Sequence, residues 1–139
     1  MGDQDNIRII QEGFGDFKRG DIATLLSKFA PDIEWVVSGP KEVPLSGTYN
    51  GHAKVSEFFK DLHDLTELTV FEPKHFVGQG DHVIVLGKTE SRVRSTGKTY
   101  STEWAMAFTL KNGKVTHYQQ YSDTAAAAEA FAGSKAKSA

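Results

Sequence analysis

The sequence predicts an α+β fold in which three N-terminal helices pack into the concave face of a strongly curved, mostly antiparallel mixed sheet. Three observations carry this reading. Helical spacing of apolar residues recurs in the first half of the chain, ending with Val55, Phe58, Phe59, Leu62 and Leu65 on one stripe. Four alternating segments fill the second half, at about 67–77, 82–93, 98–111 and 114–122, separated by Gly78-Gln-Gly-Asp81, Ser95-Thr-Gly-Lys98 and Asn112-Gly113 as hairpin turns. Three helices cannot be hidden by a flat sheet, so the sheet must curl around them into a cone with one open end, a concavity of the kind that holds small ligands.

Each element has a local reason. Ile7, Ile10, Phe14 and Phe17 share a helix face, although Gly13 and Gly15 each weaken that helix by up to about 1 kcal/mol. Gly20-Asp21 stops it, and Asp21 is a favoured N-cap for a second helix carrying Ile22, Leu25, Leu26 and Phe29. Pro31 ends that segment, and Ile33, Trp35 and Val37 then alternate as a short strand. Residues Ser38 to Gly51 read as a long irregular loop with Gly39-Pro40, Pro44, Gly47 and Gly51, of the kind that borders binding sites. An Ala-rich helix at about 124–131 closes a single domain spanning 1–131. The stretch 132–139 reads as a disordered tail.

Composition excludes several functions. The chain has 139 residues, a formal net charge of −2 and no cysteine, so disulfides, thiolate catalysis and zinc–thiolate sites are absent. A near-neutral charge gives no electrostatic reason to expect nucleic acid or an anionic membrane surface. No apolar run approaches the roughly 18 residues of a membrane span. The first residues lack the basic region and apolar core of a signal peptide, so a cytoplasmic location is expected. The five histidines are scattered without ligand spacing, and neither a phosphate loop nor a Gly-x-Ser-x-Gly elbow is present, so neither a metal nor a cofactor is expected.

The last hairpin carries the candidate chemistry. Trp104, Met106, Phe108 and Leu110 share one face of its first strand. Strict alternation puts Val115, His117, Gln119, Tyr121 and Asp123 on one face of the second. If both faces line the cone, an oily wall ends in a histidine, a tyrosine and a carboxylate. Asp123 would then remove an acidic C–H proton, with Tyr121 or His117 stabilising the oxyanion. The bland readings stand beside this one: Asp123 directly precedes Thr124-Ala-Ala-Ala-Ala-Glu129 and is a natural N-cap, Tyr121 is a core aromatic, and His117 is a surface or satisfied histidine. Candidate pocket residues are Trp35, Val37, Phe14, Phe59, Trp104, Met106 and Phe108, with Tyr49 closing the mouth from the long loop and His75 at the end of a strand of uncertain parity. Thr99, Ser101, Glu103, Ala105, Ala107 and Thr109 present small or polar groups on the opposite face, compatible with a second subunit's sheet and hence with a homodimer.

In this arrangement the chain resembles the SnoaL-like and ketosteroid-isomerase-like branch of the nuclear transport factor 2 (NTF2-like) superfamily. The matching residues are Lys18-Arg-Gly-Asp-Ile-Ala-Thr-Leu-Leu26 before Ala30-Pro-Asp-Ile-Glu-Trp35, Gly47-Thr-Tyr-Asn-Gly51 before Glu57-Phe-Phe59, Gln79-Gly-Asp-His-Val83, the Trp104 strand, Asn112-Gly-Lys-Val115 and Tyr121-Ser-Asp-Thr124. The resemblance implies the cone fold but not one reaction, because that cone hosts isomerases, cyclases, dehydratases, epoxide hydrolases and proteins without chemistry. The steroid isomerases place a general-base Asp where this chain has Val37, and an oxyanion-donating Tyr where it has Gly13 and Phe14. The Asp-Arg-Asp cluster of the epoxide hydrolases has no counterpart, since Arg92 and Arg94 fall near a hairpin end. Asp123 is the position resembling the acid/base Asp of SnoaL-like cyclases. The resemblance therefore implies a small apolar, carbonyl-containing or enolisable ligand in the cone. Either a cofactor-independent isomerase, cyclase or dehydratase acts on it, or a non-catalytic binding or dimerising protein holds it.

Overall fold

A computed structural model of the chain describes residues 2–133. The elements in order are α1 (Asp3–Lys18), α2 (Ile22–Leu26), β1 (Phe29–Val37), β2 (Gly47–Asn50), α3 (Gly51–Leu65), β3 (Thr66–Gln79), β4 (His82–Val93), β5 (Thr99–Lys111), β6 (Lys114–Tyr121) and α4 (Thr124–Phe131). The fold is the α+β cone. Its six strands lie in the order β2-β1-β6-β5-β4-β3. β1 pairs with β6 in parallel, and every other neighbouring pair is antiparallel. The helices supply the filling: Ile10 and Phe14 of α1, Leu25 of α2, and Val55, Phe58 and Phe59 of α3 are buried against inward residues of the sheet. Of the tail expected over 132–139, only Ala132 and Gly133 fall within the described residues.

Local chemistry sets the joints. The Thr24 N–H donates to the Asp21 carboxylate over 3.1 Å, so Asp21 caps α2 as its position implies. Asn112 and Gly113 take φ of 53° and 78°, the left-handed pair required by a type I′ turn.

Three expectations need correction. The first strand begins at Phe29, not after Pro31. Pro31 is tolerated because it sits in the irregular stretch between the Phe29 and Glu34 pairings, where the ladder is already broken. The loop after it is not irregular throughout, because Gly47–Asn50 adds an edge strand to β1 while Val43 and Leu45 turn into the core.

The third correction concerns parity. β5 and β6 pair Leu110 with Val115 beside the turn, yet the next pairing is Thr109 with His117, which leaves Thr116 as an extra residue. This bulge rotates the remainder of β6 by one position. Tyr118 then faces Phe108 inside the cone, and His117, Gln119 and Tyr121 turn outward.

Candidate functional site

A cavity of about 160 Å³ lies between the helices and the concave sheet face. An engineered apolar cavity of about 150 Å³ takes up benzene, so the space as it stands suits one aromatic ring. Its walls come from every layer. Phe14 from α1 and Phe59 from α3 face Trp35 and Val37 from β1, with Trp104, Met106 and Phe108 from β5 forming the opposite wall. Those seven residues are among the ones the sequence pattern nominated for the pocket. Phe14 stacks parallel to Trp104 at 6.2 Å, and Trp35 stacks on Tyr118 with ring centroids 3.6 Å apart.

The glycine at position 87 makes the Trp104 wall possible. It faces Trp104 across the β4–β5 ladder, and a Cβ there would fall 2.3 Å from the indole Cη2. With no side chain in the way, the ring lies flat over β4, and its Nε1 donates to the Thr89 hydroxyl over 2.6 Å.

The polar lining gathers toward one end. From Trp104, β5 runs back through Thr102 to Tyr100, and β4 runs forward through Thr89 to Ser91; Gln120, Ser122 and Thr124 join from β6 and the start of α4. The Tyr118 hydroxyl donates to the Gln120 side-chain carbonyl over 3.0 Å. Burial pushes the phenols of Tyr118 and Tyr100 up, the latter partly offset by the neighbouring Ser91 hydroxyl. Both therefore stay protonated and neutral at physiological pH. Lys28 contributes its stem to the floor, and its ammonium is bonded to the buried carboxylate of Asp16.

The five other nominated residues lie elsewhere. His117 is on the outer face, its Nδ1 2.8 Å from the Glu34 carboxylate beside it on β1. Tyr121 is 54% exposed, also on the outside. Asp123 is exposed and accepts the Ala126 N–H over 3.0 Å as the N-cap of α4, while its own N–H donates to Thr102. Tyr49 belongs to β2 and packs on Phe58 with its hydroxyl donating to the Leu45 carbonyl, and His75 is exposed on β3. The expected histidine, tyrosine and carboxylate thus do not converge on the cavity, and the bulge at Thr116 is the reason. No Asp, Glu or His side chain is among the described residues that line it.

Sequence reasoning missed Ser91, Tyr100, Thr102, Gln120 and Ser122. For Tyr100 and Thr102 a signal existed, since they share the parity of Trp104. For Gln120 and Ser122 none did, because their parity is set by the bulge.

The sequence model of the SnoaL-like domain matches residues 10–118. The chain belongs to the SnoaL-like domain family. Among solved structures, this SnoaL-like chain is similar to an NTF2-like protein of Burkholderia xenovorans LB400, with 38% identity over 94% of this chain and 98% of that one and a TM-score of 0.87. It is also similar to TerC, co-crystallised with polyporic acid, at 32% identity over 91% of this chain and 98% of TerC, with a TM-score of 0.78. An uncharacterized protein of Mycobacterium tuberculosis is 27% identical over 94% of this chain and 98% of its own length. Among the described residues, no helix is long and apolar enough to cross a membrane.

Proposed function

We propose that this SnoaL-like chain binds a small, mainly apolar aromatic molecule in its cone and performs no carboxylate- or imidazole-driven proton transfer on it. One observation carries the reading: the cavity is walled by aromatic rings and lined toward one end by neutral hydroxyl and amide groups, with no Asp, Glu or His among the described residues that line it. Abstraction of a C–H proton needs a base within hydrogen-bond reach of the ligand. The titratable groups that line the cavity are phenols held protonated and an ammonium engaged by Asp16. An enzymatic role for Asp123 loses its geometric support, since its carboxylate is committed to α4 in solvent.

The test is a fluorine NMR titration with para-fluorophenol, a single ring that fits the volume. Saturable displacement of the probe signal at one site per chain is expected, with the affinity unchanged within about twofold in Asp123→Ala. That variant should lose about 1 kcal/mol of stability as a helix cap. Absence of saturable binding sinks the proposal.

The same reading includes a homodimer through the outer sheet face. Leu86 and Tyr121 are exposed there, and the register places them on either side of Ala105, so an apolar line crosses three strands. A second copy could cover this line with its own. Sedimentation is expected to give a dimer, and Leu86→Glu a monomer with unchanged fold. A wild-type monomer at all accessible concentrations would remove the dimer.

A further inference from the structure

The inward rungs of the β4–β5 ladder form a graded series: Gly87 opposite Trp104, then Thr89 opposite Thr102, then Ser91 opposite Tyr100. Same-face rungs lie about 7 Å apart, so the series spans more than one aromatic ring. The hydroxyls along it are not equivalent. Thr89 accepts the Trp104 indole N–H, and Thr102 accepts the Asp123 N–H while donating to the Glu103 carbonyl. Ser91 is 1% exposed, and its Oγ has no hydrogen-bond partner of ordinary geometry, although the Tyr100 phenol is close enough to feel it.

A buried hydroxyl without a partner costs about 1–3 kcal/mol, which a packed core avoids when it can. Ser91 is among the residues that line the one-ring cavity, opposite Tyr100 and one rung beyond the threonines. Val83 and Val85 occupy the same face of β4 nearer the turn and show what an apolar strand would place there. Burying a carboxylate at this rung would be unfavourable, because the ammonium that lines the cavity belongs to Lys28, already paired with Asp16.

We propose that Ser91 and Tyr100 form an oxygen-recognition subsite, which takes the uncharged hydroxyl of a phenol-class ligand whose ring lies over the Thr89–Thr102 rung against Trp104. The inference rests on the ligand-binding reading above and adds the substrate class. Ser91 Oγ can accept the phenol proton, and the Tyr100 hydroxyl can donate to the phenol oxygen, so ligand and site exchange both roles.

Three probes separate the possibilities: para-fluorophenol, fluorobenzene and para-fluorobenzoate, each titrated by fluorine NMR at neutral pH into the full chain. The phenol is expected to bind roughly five- to tenfold tighter than fluorobenzene, the increment of one or two neutral hydrogen bonds, and the benzoate weakest of the three. Ser91→Ala removes only the hydroxyl and is expected to bring the phenol to within about twofold of fluorobenzene measured on the same variant. Tyr100→Phe should reduce the same preference in part. If fluorobenzene and the phenol bind equally to wild type, or if Ser91→Ala keeps the phenol preference, the subsite is wrong while ligand binding stands. If the benzoate binds tightest, the neutral character is wrong. If no probe binds, the inference falls together with the binding reading.

Discussion

Gly87→Ala is expected to destabilise the chain by about 3 kcal/mol, at the upper end of overpacking costs, and to lower its melting temperature by roughly 10 °C. The added Cβ would lie 2.3 and 2.4 Å from the Cη2 and Cζ2 atoms of Trp104, and 2.5 Å from the carbonyl oxygen of Glu72. Shifting the indole alone relieves only the first two contacts. The third is with the backbone of β3, paired to β4 on the far side from Trp104, so one of the two ladders must give. Moving the indole also breaks its hydrogen bond to Thr89 and tilts the ring that stacks on Phe14 and Phe71. Calorimetry together with tryptophan emission checks this. A melting temperature within a degree or two of wild type, with unchanged emission, would show that the Gly87–Trp104 contact constrains nothing.

The second large effect is expected from Asp16→Ala, a loss of about 3 kcal/mol. Asp16 is a buried carboxylate on α1 that receives the Arg19 guanidinium over 2.6 Å and the Lys28 ammonium from the segment leading into β1. Arg19 is largely exposed and can return to water, but the Lys28 side chain is only 18% exposed and lines the cavity floor. Removing the carboxylate leaves that largely buried ammonium without its partner. The cost arises from the abandoned charge, not from the worth of the pair, so the double variant Asp16→Ala with Lys28→Met should recover most of it. Denaturant unfolding of the two single variants and the double variant forms the cycle. Additive losses would refute the coupling.

Much of the architecture was legible because it depends on spacing alone. The stripe on α3, the Asp21 cap, the Asn112-Gly113 turn and the alternation of β5 are local patterns, and each forms where the residues place it. The aromatic wall followed from the same patterns, since Trp35, Trp104, Met106 and Phe108 keep their parity along uninterrupted stretches. Extending the β5 parity from Trp104 back to Tyr100 reaches one half of the polar end of the cavity as well.

The other half was not legible. Val115, His117 and Tyr121 are spaced as one face of a regular strand, but one surplus residue at Thr116 exchanges that face for Tyr118 and Gln120. A bulge is selected by how the ladder must bend to close on both β5 and β1, which is a demand of the whole sheet. The N-terminal ladder carries a matching irregularity between Phe29 and Glu34.

The sequence by itself therefore determined the element order, the helical stripes, the turns and the apolar character of the cone, because these are properties of near neighbours along the chain. The tertiary structure alone decided which flank of the final strand meets the cavity. It left Asp123 holding a helix in solvent and gave the hollow a lining of neutral hydroxyls. The physical reason is that side-chain parity propagates from one residue to the next only while the ladder is unbroken, and curvature breaks it at a place that distant strands choose.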